Sequence, residues 1–540
     1  MKKVIVVILS AMLILSVFVP NNALAVTNDN QEQSIRDLNY KRIIKGEENN
    51  TLKPDKITKH VTGGKIRGYL SPNDSSVAIY KGIPYAAPPV GENRWRAPQD
   101  VKAWSGVKET REYGFSCMQK INKEDYTNYP EYMVSDKVSE DCLTLNIWTN
   151  SKTGIKANMP VVFYIHGGGW VGGGSDIEII DGEHLASQDV IFVSVNYRLG
   201  VFGWFASSDL VEEDPENSSG NYGLMDVVKG LEWVNDNISA FGGDPNNVTI
   251  MGGSAGANLV NTLLVSPKAK GLFKHAFSMS YPLDIINTYP KLSDRKLNGD
   301  RIVENAGGLE TLRNMSTEEV YNLGLFAAPC IDGTYVTKNF REALESGMSK
   351  DIDLITGVVW NDINGTDESM RGDGLFTSFM VPVPEATEGE VLATVLNGVA
   401  IAREKGGSKG KTYVLEFNHI MPGPVNLGAF HGSEIPYFLN YFSDFRKAFW
   451  QKKDYNVGKI ASSYLINFSK TGSPNGKGLV KWNPSKGDYT HFVMKAKSEE
   501  QKIKHADIIV EEFKKAGFDF LQYGKKTNLD IQELAVANEK

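Results

Sequence analysis

The sequence predicts an α/β fold, a large and mostly parallel central sheet flanked by helices. Three observations carry this. Between residues 143 and 265, apolar strand-like runs alternate with runs of helical spacing, and such alternation implies crossover connections and parallel pairing. Two of the runs, Pro160–His166 and Val190–Asn196, are nearly continuous in apolar residues, as strands covered on both faces are. The 540 residues are 41% apolar and 23% charged, a soluble globular balance in a length that such sheets reach when they carry large insertions.

Taken in order, Lys2 and Lys3, the apolar run Val4–Val19 and the small residues Ala23-Leu24-Ala25 read as a signal peptide over residues 1–25. An uncleaved anchor is the alternative, but the run is short for a bilayer span. The expected mature chain begins near Val26 and is exported, with no later membrane span. Residues 26–60 are polar, lysine-rich and aperiodic, an extension without a core of its own. Residues 61–540 read as one domain, with structured sequence from Val61. Strands and turns run to about residue 150, and Leu143–Trp148 alternates as a strand.

Leu224–Asn237 places Leu224, Val227, Val228, Leu231 and Val234 on one helical face. Asn247–Met251 then reads as a strand and Ala257–Val265 as a helix. The acidic stretch 207–219 reads as a solvated loop. The region 282–350 reads as helical and amphipathic, an insertion that could cap a site. Ser498 with Gln501 resembles a capping box for a helix with the stripe Ala506, Ile509, Val510, Phe513 and Ala516, stopped by Gly517. The formal net charge of -7 argues against a nucleic-acid partner, which needs a basic face. Of three cysteines, Cys117 and Cys142 could close one loop, worth roughly 3–4 kcal/mol of chain entropy, or stay free. Cys330 reads as a buried thiol.

The chemistry-bearing motif is Gly252-Gly253-Ser254-Ala255-Gly256, which fits G-x-S-x-G. A serine on a tight strand-to-helix turn is held in a strained conformation that exposes its Oγ, and a Cβ at either flanking glycine would crowd the turn. A helix-capping serine in a glycine-rich turn is the bland alternative. Upstream, His166-Gly167-Gly168-Gly169 ends a buried strand. Acyl transfer needs backbone N–H groups aimed at the developing oxyanion, each worth roughly 3 kcal/mol of barrier. Gly168, Gly169 and Ala255 are the candidate donors. A flexible loop is the alternative there, and Gly172-Gly173-Gly174 looks like another.

With these motifs stand Tyr80-Lys81-Gly82-Ile83-Pro84-Tyr85-Ala86, Arg94-Trp95-Arg96-Ala97-Pro98, Ser139-Glu140-Asp141-Cys142-Leu143, Asn196-Tyr197-Arg198-Leu199-Gly200, Gly220–Asp226 and Phe241-Gly242-Gly243-Asp244-Pro245. Together they resemble the type-B carboxylesterase family of the α/β-hydrolase fold, over most of residues 61–280. The resemblance implies a disulfide between Cys117 and Cys142 closing a loop beside the active-site gorge. It also implies a buried ion pair of Arg94 with Glu140. The lysine-initiated leader points to a bacterial member.

The family order is serine, acid, histidine. His431, in His431-Gly432-Ser433-Glu434-Ile435-Pro436-Tyr437, is similar to the family's histidine motif. His419 reads as packed or hydrogen-bonded at a strand end, and His491 and His505 as solvated. The family's acid follows a strand in a Gly-x-x-x-Asp-Glu-Gly pattern, and by that resemblance, counting from Gly357 after the strand Asp353–Gly357, Asp362 takes the acid position, with Asp367 and Glu368 as competitors. Ser254, His431 and Asp362 would then form a triad acting on a small-molecule ester with no metal or organic cofactor. Gly253, Asp362, Val227 and Ser280-Tyr281 depart from the family pattern. The expected activity is a secreted serine carboxylesterase. A catalytically silent binding module on the same fold, or a lipase, amidase or thioesterase using the same site, are the alternatives.

Overall fold

The computed structural model describes residues 57–152, 154, 156–286, 288–324, 326–362 and 386–515. The signal-peptide reading, nearly all of the 26–60 extension, Asp367, Glu368, Ala516 and Gly517 lie outside the described residues.

Eleven strands form the main sheet: β1 (Tyr69–Leu70), β2 (Val77–Pro84), β3 (Thr144–Asn150), β4 (Met159–Ile165), β5 (Ile191–Val195), β6 (Gly243–Gly253), β7 (His275–Met279), β8 (Asp353–Val359), β9 (Thr412–Phe417), β10 (Thr490–Met494) and β11 (Glu499–Lys502). Their order is β11-β10-β9-β8-β7-β6-β4-β5-β3-β2-β1. The block from β5 to β10 is parallel throughout. Antiparallel pairs occur only toward the two edges. The fold is that of an α/β hydrolase.

Alternation inside β4 shows why the parallel block reads as a continuous apolar run. Val161, Phe163 and Ile165 join the core on one face, packed with the helices α1 (Tyr222–Asn237), α2 (Ala255–Leu264) and α3 (Glu388–Lys405). Val162 and Tyr164 join the core on the other, under α4 (Lys452–Thr471). Both side-chain directions of a strand therefore need apolar residues. The five predicted positions of α1 are all buried.

The register brings the site together. Ile165 of β4 pairs with Gly252 of β6, Gly253 with Met279 of β7, and Met279 with Gly357 of β8. The carboxyl ends of four neighbouring strands thus lie side by side, where open α/β sheets bind ligands.

Several local expectations give way to tertiary context. Structure begins earlier than Val61, with Thr58–Val61 already a strand of a small separate sheet. Within the acidic stretch 207–219, Ser208–Glu213 is a helix capped by Ser207, and Ser218 and Ser219 are buried. Ser498 and Gln501 do not cap a helix, because Glu499–Lys502 pairs antiparallel with β10 and adds an edge strand. The helix begins only at Ala506, and the stripe Ala506, Ile509, Val510 and Phe513 is buried as expected. The region 282–350 does hold the helices Leu292–Ala306, Leu309–Asn314, Thr317–Tyr321 and Phe340–Glu345.

Candidate active site

Ser254 stands between β6 and α2 with φ +58° and ψ -127°, a combination that non-glycine residues avoid. Its N–H donates to Met279 O at 2.9 Å and its C=O accepts from Asn258 N at 3.1 Å, so the strained residue is held from both sides. The flanking glycines are steric necessities. A Cβ on Gly256 would stand 2.1 Å from Ile165 O, and one on Gly252 would meet Gly256 backbone atoms at 2.6 Å. At Gly253, one of the departures from the family, a Cβ would lie 3.1 Å from Ile435 Cδ1, so an isoleucine from the His431 segment covers that position.

The glycine arm after β4 runs past the nucleophile. A Cβ on Gly167 would come within 3.0 Å of Ser254 Cβ. Gly168 and Gly169 both have positive φ, +105° and +64°, which glycine adopts without penalty. The second run, Gly172-Gly173-Gly174, is packed tightly against the first. Gly172 N–H donates to Gly168 O at 2.8 Å, and a Cβ on Gly173 would stand 2.3 Å from Gly167 O. Gln119 donates to Gly173 O at 2.7 Å and accepts from its N–H at 2.9 Å. His166 is buried, stacked on Tyr197, and burial pushes its imidazole down to about 4. It is held neutral and structural.

Asp362 follows β8, and its Oδ1 hydrogen-bonds His431 Nδ1. Both residues thus occupy one constellation, with the Asp362 side chain buried and the His431 ring partly open to solvent. Asn361 N–H donates to Ala429 O at 3.1 Å, tying the acid loop to the base loop. Burial acts to lower the His431 imidazole. The Asp362 charge and hydrogen bond, with the Glu434 charge, act to raise it and prevail.

Glu434 and Ser280 meet beside the base. Ser280 Oγ donates to Glu434 Oε1 at 2.7 Å, joining the end of β7 to the base segment. Burial first, then the Asp362 charge, pushes the Glu434 carboxyl up to about 7, against the opposing Ser280 hydrogen bond. The tertiary signal is two polar residues, far apart in sequence, that are both buried and mutually paired.

The loop closed by Cys117 and Cys142 reaches the base from the other side. The two cysteines are disulfide-bonded with Cα atoms 5.0 Å apart. Tyr132 on that loop donates to Gly432 O at 3.2 Å, and the rings of Tyr129 and Tyr132 pack on Phe430. Buried Glu131 pairs with Arg446, whose Nη1 and Nη2 donate to Pro422 O at 3.0 Å and Asn128 O at 3.1 Å. The Arg94–Glu140 pair is buried and bidentate, at 2.8 and 2.6 Å. Arg198 with Asp226, which the sequence reading passed over, is a second such pair at 2.7 Å in both bonds. Cys330 is a buried free thiol.

Of the remaining histidines, His419 is hydrogen-bonded to Asp454 at 2.8 Å as expected. His491 is buried rather than solvated, its Nε2 3.1 Å from Glu416 Oε2, because β10 lies between β9 and β11 and has no solvated edge. His505 is half-buried, with Nδ1 3.5 Å from Glu390 Oε2. Among the described residues, no cluster of metal-ligating side chains occurs and no helix is long and apolar enough to cross a membrane.

Comparison with known proteins gives the family. A model of the carboxylesterase family matches residues 55–373 and 391–510. Carboxylesterase 1E of Rattus norvegicus is 30% identical over 508 residues, covering 80% of this chain and 87% of its own. Fumonisin B1 esterase of Sphingopyxis macrogoltabida is 35% identical over 274 residues, about half of each chain. The crystal structure of Geobacillus stearothermophilus carboxylesterase EST55 superposes with a TM-score of 0.68 at 28% identity, covering 84% of this chain and 99% of that one. The chain is a carboxylic ester hydrolase and belongs to the carboxylesterase family.

Proposed function

We propose that the chain hydrolyses carboxylic esters by two-step acyl transfer at Ser254, and that it does so after export and removal of residues 1–25. The observation that carries the site assignment is the His431–Asp362 hydrogen bond, formed by loops that follow β8 and β9, the second and third strands from the one that ends in the Ser254 turn. Ser254 Oγ attacks the ester carbonyl while His431 takes its proton. Asp362, bonded to Nδ1, holds the imidazole with Nε2 toward the serine and stabilises the imidazolium. The N–H groups of Gly168, Gly169 and Ala255 receive the oxyanion. His431 then protonates the leaving alcohol, and water repeats the sequence on the acyl-enzyme.

A fluorophosphonate probe tests the assignment. Stoichiometric labelling of Ser254 in the folded protein, lost in Ser254→Ala, is the expected result. Absence of labelling would favour a binding module. Matched p-nitrophenyl ester, anilide and thioester substrates separate esterase from amidase and thioesterase activity, with the ester expected to react fastest. N-terminal sequencing of the secreted protein checks the export reading, with Val26 as the expected first residue.

A further inference from the structure

The residue after the glycine arm, Trp170, is a non-glycine in a left-handed conformation, φ +60°, which costs conformational energy and persists only where its surroundings impose it. Its backbone C=O accepts from Gly200 N–H at 2.8 Å and from Trp204 Nε1 at 3.0 Å. Its indole N–H donates to Asn258 Oδ1 at 3.1 Å. Asn258 lies in the first turn of α2, one helical turn beyond Ser254, so this bond joins the glycine arm to the nucleophile helix.

An asparagine amide can face either way, and here buried Asp284 decides which. Its Oδ1 accepts from Asn258 Nδ2 at 2.8 Å and from Tyr289 Oη at 3.2 Å, and its Oδ2 accepts from Asn261 Nδ2 at 2.8 Å. Burial pushes the Asp284 carboxyl up to about 7, against the hydrogen bonds from Asn261, Asn258 and Tyr289, so at pH 8.5 it is a carboxylate, which only accepts, and an indole N–H only donates. Asn258 therefore must turn its NH2 to Asp284 and its carbonyl to Trp170. All three side chains are buried, Asp284 at 3%, Asn258 at 1% and Trp170 at 4% exposure, so water does not compete for these bonds.

We infer that Asp284 is a positioning residue for the oxyanion-binding arm, acting through Asn258 to lock the Trp170 indole and with it the adjoining Gly168-Gly169 amides. The inference rests on the assignment of those amides as oxyanion donors. Loss of the lock lets the arm drift from the geometry needed in the transition state, and a misplacement of about 1 Å costs on the order of 100-fold in rate.

The test uses Trp170→Phe, which keeps an aromatic side chain but loses the pyrrole half of the indole and with it the N–H donor, beside Asp284→Asn, which leaves the Trp170 ring in place and changes only the far end of the relay. Both are assayed at pH 8.5 with p-nitrophenyl acetate. Each is expected to lower kcat by about 10- to 100-fold with a much smaller change in KM. Each should weaken a trifluoromethyl ketone, which forms an oxyanion adduct on the serine, by a similar factor. The double variant should be no worse than the weaker single one, because both break one relay. Folded Trp170→Phe with wild-type kcat and ketone affinity overturns the inference, as does lost kcat with unchanged ketone affinity. In either case fluorophosphonate labelling of Ser254 and wild-type esterase activity would stand. A wild-type chain that neither reacts with the probe nor cleaves esters would sink the site assignment and this inference together.

Discussion

The two halves of the site are built by different physics. On the nucleophile side, Gly167, Ser254 and Ala255 are placed by backbone: parallel register, a 2.9 Å bond from Ser254 N to Met279 O, and glycines whose missing Cβ atoms admit a neighbouring segment at 2.1 to 3.0 Å. On the base side, Asp362 and His431 stand on loops held largely by side chains: Tyr132 on Gly432 O, Ser280 on Glu434, and Glu131 with Arg446. Backbone placement is a matter of sterics within a short motif. Side-chain placement needs partners hundreds of residues apart, such as Glu131 and Arg446.

The contrast can be broken at four points. The largest effect is expected for Ser254→Ala, which should lower kcat by roughly 10⁵- to 10⁶-fold while leaving the fold intact, as read by steady-state kinetics alongside circular dichroism. Asp362→Asn should follow, at roughly 10⁴-fold in kcat through loss of the correct imidazole tautomer. It also removes the charge that raises His431, so the residual acid limb should move to lower pH. In the wild type that limb lies above the ordinary histidine value, since a raised imidazole stays protonated and unable to act as base up to a higher pH. A limb well below pH 6 would contradict this.

The two smaller predictions sharpen the contrast. Gly256→Ala should fail on the backbone side, because its Cβ meets the carbonyl oxygen of a buried strand rather than a side chain that can turn away. An overpacking cost of about 1–3 kcal/mol is expected by urea denaturation, and reduced fluorophosphonate labelling should accompany it. Glu434→Gln should have the smallest effect. Removing its charge should move the acid limb of kcat/KM to lower pH, in the same direction as Asp362→Asn but by less, with labelling of Ser254 retained. An upward shift would show that Glu434 does not act on His431 electrostatically.

The same difference explains what could be read from the chain. The Gly252–Gly256 turn and the glycine arm were legible because a Cβ on Gly252, Gly256, Gly167 or Gly168 would meet backbone at 2.1 to 2.8 Å, which leaves almost no other residue possible at those positions. Asp362 and His431 were legible only through the resemblance to the family's motifs and their order, and their hydrogen bond agrees with that placement. Glu434, Ser280, Asn258 and Asp284 carried no local signature, since a polar residue gives no sign of burial until its partners are known. His491 was misread as solvated for that reason, because its charged sequence neighbours said nothing about the strands on either side of it. Gln501 was misread as part of a helix cap because local pattern could not weigh the open edge of β10, which captured that segment as a strand.

What the sequence determined by itself was the alternation of strand and helix, the apolar faces and the turn that carries Ser254. These follow from side-chain periodicity and backbone sterics, which act over a few residues. Only the tertiary structure decided which buried polar groups face one another around His431 and Trp170, and which segment completes the sheet edge. Those outcomes depend on hydrogen bonds and ion pairs whose two members meet only after the sheet has set its register.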